Sequence, residues 1–148
     1  MTSARPLRLT AHRLLVVALT LSLFLTGCAQ AEGASTPVDA ATEFLEALAA
    51  DDVPAVRTVA NGRWTERSVQ VERERLLGLE GAIEIEGIEV FDVVDDTPDE
   101  VLIGVFVHMP APAAKREVSV YVRPTASGAW AVAGASTPVL EEPVRMFK

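Results

Sequence analysis

Val101-Leu102-Ile103-Gly104-Val105-Phe106-Val107-His108-Met109 alternates two apolar faces. Val101, Ile103, Val105 and Val107 share one face, and Leu102, Phe106 and His108 share the other, with Gly104 leaving a gap. Side chains alternate across a strand, and a strand apolar on both sides sits in mid-sheet with both faces covered. The run is therefore expected to be a central strand.

Its neighbours continue the pattern. Lys115 to Arg123 alternates cleanly: Val118, Val120 and Val122 point one way, and Glu117, Ser119, Tyr121 and Arg123 the other. Pro124 closes that strand, Thr125-Ala126-Ser127-Gly128 forms a hairpin turn, and Trp130 and Val132 lead a last strand over 129–135. Upstream, Ile83 and Ile85 alternate with Glu84 and Glu86, and after Gly87 the phase flips to Ile88 and Val90. A one-residue phase change at a glycine marks a β-bulge or a bend between two strands, so strand is expected from Ala82 to Val94, with a bulge or a bend at Gly87. Asp95-Asp96-Thr97-Pro98-Asp99 reads as a turn.

Before Ala82 the apolar period is helical. Thr36-Pro37-Val38-Asp39 is a helix start, with a capping threonine, a proline in the first turn and an acid at the positive end. Val38, Ala41, Phe44, Leu45 and Leu48 then form one stripe, giving a helix over 37–50. Val53, Val56, Val59 and Ala60 mark a short second helix that ends at Asn61-Gly62. Trp64 follows in a loop, placed to pack across the helix pair or to serve as a ligand platform. Thr65 caps a third helix over 66–77, with Val69, Leu76 and Leu77 as a thin apolar face and Glu72-Arg73-Glu74-Arg75 as a solvated one.

Helices first and strands after imply an α+β fold, with helices packed on a curved antiparallel sheet of about four strands. The chain resembles the nuclear transport factor 2-like superfamily, which includes ketosteroid isomerase, and more narrowly the small actinobacterial lipoproteins built on that cone. Ala41, Phe44, Leu45, Leu48, Asp51-Asp52-Val53, Val118-Ser119-Val120-Tyr121-Val122 and Gly128-Ala129-Trp130-Ala131-Val132 carry the resemblance, over 37–135. It implies a cone-like domain with an apolar cavity. The polar catalytic set of the family's enzymes has no counterpart here.

Chemistry-bearing residues are sparse. After residue 27 the chain has one histidine, His108, and one tyrosine, Tyr121. His108 is either a strand-end histidine at the surface or one wall of a pocket with Asp92 and Trp64. An isomerase-like enzyme would use His108, Asp92 or Tyr121 to move protons, so these side chains would have to converge. One histidine and one cysteine do not make a zinc set, and Asp95 to Glu100 lacks the calcium-loop spacing. No phosphate-binding glycine loop or nucleophile elbow occurs, and no cofactor or metal is expected.

The N-terminal stretch has a specific reading. Arg5, Arg8 and Arg13 precede an apolar run from Leu14 to Phe24, which is the pattern of a secretory signal. The run is about half the roughly 20 residues of a permanent membrane span. Leu25-Thr26-Gly27-Cys28 then resembles the bacterial lipobox. The resemblance implies a diacylglyceryl thioether on Cys28 and cleavage after Gly27. Residues 1–27 would be the signal, 28–36 a flexible tether, 37–135 the domain and 136–148 a tail in which Val139, Leu140 and Phe147 are able to pack back.

Of the 13 basic residues three lie in 1–27, which leaves 10 against 21 acids, a formal charge of −11. Such a surface repels nucleic acid and anionic headgroups. The sequence thus points to a non-catalytic module on the outer face of the plasma membrane. It would be attached through lipidated Cys28 and would bind envelope proteins or a small apolar ligand. The alternative is an enzyme of the isomerase kind or a ligand carrier.

Overall fold

The computed structural model describes residues 31–138. Three helices, α1 (Pro37–Ala49), α2 (Val53–Val59) and α3 (Glu66–Leu77), precede four strands. The strands are β1 (Gly87–Thr97), β2 (Glu100–His108), β3 (Lys115–Pro124) and β4 (Trp130–Ser136). They form one antiparallel meander in the order β1-β2-β3-β4, so the fold is α+β. Cys28 and the tail from Val139 lie outside the described residues.

Helix α1 starts where its residues dictate. Thr36 accepts from the Asp39 N–H at 3.1 Å, and Pro37 occupies the first turn. The Ser35 hydroxyl donates to the Asp39 carboxylate at 2.7 Å, and this bond, with those to Thr36, holds the Asp39 pKa below its usual value. Four of the five stripe residues of α1, Ala41, Phe44, Leu45 and Leu48, are inside at 0–1 % exposure, and Val38 is half-buried against the core. The stripe packs on the inner sheet face of Ile103, Val105, Val107, Val118, Val120 and Val122, each fully buried. Burial on this scale stabilises by about 1.5–3 kcal/mol per side chain.

Helix α3 has the expected bounds but not the expected surface. A reciprocal Thr65–Ser68 capping box opens it, and Gly78, at φ 68°, closes it in the left-handed conformation. Arg73, read from its charge run as solvated, is only 3 % exposed. It falls on the stripe with Val69, Leu76 and Leu77, and it reaches the Asp51 carboxylate at 2.6 Å and the Glu80 carbonyl at 3.2 Å. The thin apolar face is completed by a paired guanidinium.

The first strand is shorter at its start than its alternation suggests. Ala82 to Glu86 is not strand. Ile83 and Ile85 pack against the core from an irregular segment, and the Ile83 N–H donates to the Ala49 carbonyl at the end of α1. No bulge forms at Gly87, which pairs with His108. The register instead slips at Phe91, between Val90↔Val105 and Asp92↔Gly104. Asp95 to Thr97 belong to β1 rather than to a turn, and Thr97 pairs with Glu100 around Pro98-Asp99.

The segment expected to be a free tether is fixed at its end. The Gly33 N–H donates to the Thr58 carbonyl, and Ala34 exchanges two backbone hydrogen bonds with Trp130 at 2.7 and 2.9 Å. Ala34 and Ala60 both bridge to β4 and cover that edge of the sheet.

Candidate interaction surface

The outer face of β2 was expected to be covered by a second layer. Among the described residues no element covers it, and side chains of the sheet do so in part. Phe91, the extra residue of the β1 bulge, lays its ring over Gly104 and packs on Phe106 with centroids 4.5 Å apart. The Lys115 ammonium caps Phe106 at 3.6 Å from the ring centroid. The gap left by Gly104 is thus filled by an aromatic ring. A Cβ at Gly104 would lie 2.8 Å from Phe91 Cζ and 3.3 Å from Asp92 Cβ. Gly104→Ala is expected to push the Phe91 ring outward and cost about 1 kcal/mol in urea unfolding. In a Phe91→Ala background the same change should cost nothing measurable. A penalty that survives in that background would mean the backbone, not the ring, is the obstacle.

The other feature of this surface is β1 itself. The helices pack chiefly on β2, β3 and β4, and of the apolar side chains of β1 only Ile88 packs against the core. Five large apolar side chains are exposed among the described residues, and four are on this strand: Val90 (37 %), Phe91 (45 %), Val93 (50 %) and Val94 (36 %). Val90 and Val93 oppose the buried Val105 and Ile103, so they extend the inner face past the helices. Val94 opposes Leu102 on the outer face, where the Phe91 ring also lies. Single exposed apolar residues are ordinary, but four within five positions of an edge strand form a patch. β1 is also a terminal strand, with no strand partner beyond β2 among the described residues.

The residues proposed for a pocket do not converge. His108 is partly exposed on the outer face and contacts Glu89, Nε2 to Oε2 at 3.1 Å, rather than Asp92. Asp92 pairs with Gly104, four residues along β2 from His108, or roughly 13 Å. Tyr121 pairs with Leu102, so it shares the outer face with His108 but lies six residues of β2 away, roughly 20 Å. Trp64 is on the helical side. Its ring meets Phe44 edge-on at 5.8 Å, and its indole N–H donates to the Asn61 carbonyl. Of its two expected roles, packing is the one these contacts describe.

The space between helices and sheet is taken by Phe44, Leu45, Leu48, Val56, Val69 and Leu76, all at 0–1 % exposure. Open grooves lie elsewhere, one of about 410 Å³ between α1 and α2, lined by Glu43, Ala47 and Ala55, and two more. The first of these two, of about 670 Å³, is lined by Glu46, Ala50, Ala82, Ile83, Glu84 and Ile85 at the end of α1. The other, of about 470 Å³, runs past Trp64, Arg63 and Arg67. None of these linings includes His108, Asp92 or Tyr121. Among the described residues no group of three His, Cys, Asp or Glu is placed to hold a metal ion, and no helix is long and apolar enough to cross a membrane.

The hydrophobic pattern of β1 was visible in the sequence, but its exposure was not, because exposure depends on how far α1 reaches across the sheet. No protein-family model, curated protein or solved structure matches the chain.

Proposed function

We propose that this protein is a lipid-anchored, extracytoplasmic binding module that is held on the outer face of the plasma membrane through Cys28 and engages a partner protein along β1. The observation that carries the binding half is the exposed run Val90, Phe91, Val93 and Val94 on an edge strand. Lipobox residues Leu25 to Cys28 carry the anchoring half. The helices-first order and the antiparallel meander accord with a nuclear transport factor 2-like domain.

Proximity to the bilayer follows from the chain. Four residues lie between Cys28 and Gly33, where backbone hydrogen bonding to the domain begins, so the leash of five residue steps spans at most about 18 Å. The leash joins at β4, and β1 is three strand spacings away, roughly 14 Å across the sheet. The anchored edge is thus β4, and the open edge is β1.

A photo-crosslinking amino acid in place of Val93 tests the binding surface in intact cells. An adduct with another polypeptide is expected from position 93 and not from Glu43 on the exposed side of α1. Equal adduct yields from both positions would remove β1 as the binding surface.

A further inference from the structure

We infer that β1 accepts an extended, cationic–apolar segment of its partner as an added strand. This rests on the assignment of β1 as the binding surface, and adds the chemistry of what binds there. An edge strand offers a row of backbone N–H and C=O groups that a peptide is able to pair with, while alternate side chains fill the positions on either face. Here each face offers apolar side chains at the edge, Val90 and Val93 on the inner side and Phe91 and Val94 on the outer, where Glu89 and Asp92 also lie. The regular stretches of β1 run from Gly87 to Val90 and from Asp92 to Val94, on either side of the bulge.

Charge selects the occupant. Every charged residue of β1 is acidic: Glu89, Asp92, Asp95 and Asp96. The bias extends well beyond the strand. Residues 78–114 contain nine acids and no lysine or arginine. A second copy is poorly matched to this edge. The antiparallel register that sets Val90 on Val94 and Phe91 on Val93 also sets Asp92 on Asp92 and Glu89 on Asp95, and like charges directly opposite each other destabilise a strand pair. Acidic edges of this kind oppose self-association. A strand that alternates apolar residues with lysine or arginine meets both the patch and its charge. The acid-only edge also repels anionic headgroups, which directs it toward a polypeptide rather than the bilayer.

The test uses the full lipidated protein in nanodiscs of neutral phospholipid. Three labelled ten-residue peptides are titrated: alternating valine and lysine, alternating valine and glutamate, and the valine–lysine peptide with alternate backbone nitrogens methylated. The first is expected to bind at least about tenfold more tightly than either of the others. In a Glu89→Lys/Asp92→Lys variant the order of the lysine and glutamate peptides should reverse. Both side chains are exposed, so an unchanged unfolding midpoint is expected to accompany the reversal. Equal binding of the methylated peptide would overturn strand addition, leaving charge attraction alone. Equal binding of the glutamate peptide would overturn the charge selection. A Val93 adduct with a different protein, without any peptide binding, would keep β1 as the binding surface and overturn its cationic partner. A Val93 adduct confined to a second copy of this chain would overturn the heterologous partner. No adduct and no peptide binding would remove both.

Discussion

Cys28→Ala is expected to abolish incorporation of labelled palmitate and to leave a protein that migrates more slowly because residues 1–27 are retained. The thioether to the diacylglyceryl group needs the sulfur, and the chain has no other cysteine to supply it. Retention of the uncut apolar run would by itself keep some protein with the membrane, so fractionation of this variant is not decisive. Exchanging the signal for an ordinary secretory one that is cut after an Ala-x-Ala site resolves this. Residues 29–148 should then be recovered almost entirely in the soluble fraction, whereas the native protein should pellet with membranes. The contrast follows from magnitudes. One acyl chain gives marginal, reversible binding and two chains give stable anchoring, at about 0.8 kcal/mol per buried CH₂. A domain with a formal charge of −11 after residue 27 has no electrostatic means of making up the loss at an anionic surface. Label that persists in Cys28→Ala would sink the lipobox assignment. Membrane recovery of the signal-exchanged domain would show a second attachment device.

What the sequence discloses depends on whether the decisive contact is local. Helix α1 and strand β3 are legible because their signals lie within themselves. Thr36-Pro37 sets the start of α1, and Val118, Val120 and Val122 keep one phase and are all buried. Ala82 to Glu86 misleads for the opposite reason. Ile83 and Ile85 alternate as a strand would, yet they are held by the end of α1 and the core, and among the described residues no partner strand extends beside them. The bulge lies at Phe91 because the ring finds the space above Gly104, thirteen residues away in sequence, which a phase count at Gly87 does not reveal. The outer face of β2 looked like a covered face because Leu102 and Phe106 are apolar, and only tertiary structure shows that Phe91 and Lys115 provide part of the cover. The proposed site was half legible. The apolar character of Val90 to Val94 is in the sequence, whereas its position beyond the helices is not. Of the candidates His108, Asp92 and Trp64, none contacts another, since residue type alone carries no strand register.

Arg73 shows the same dependence on a distant contact, and it leads to a prediction with an asymmetry. Its side chain is 4 % exposed, while that of its partner Asp51 is 45 % exposed. The guanidinium also reaches the Glu80 carbonyl, but its Nε has no hydrogen-bond partner. Asp51 holds the turn between α1 and α2 at φ 61°, a left-handed conformation that costs a non-glycine residue roughly 1 kcal/mol. Asp51→Gly therefore relieves backbone strain while leaving a buried cation unpaired. Breaking a buried pair from one side typically costs 3–5 kcal/mol. The solvent exposure of Asp51 screens the pair, and the relieved φ offsets part of the loss, so about 2 kcal/mol is expected in urea unfolding. Arg73→Met removes the charge that is expensive to bury, keeps an unbranched side chain on the Val69, Leu76 and Leu77 stripe, and leaves Asp51 in water. It should cost under about 1 kcal/mol. In the double variant the Asp51→Gly penalty should vanish, because no stranded guanidinium remains, and the relieved backbone should make it slightly more stable than Arg73→Met alone. An Arg73→Met loss larger than that of Asp51→Gly would mean that the guanidinium contributes net attraction rather than a compensated cost. The buried arginine would then be a stabilising strut between α3 and the turn at Asp51, not a satisfied exception in an apolar stripe.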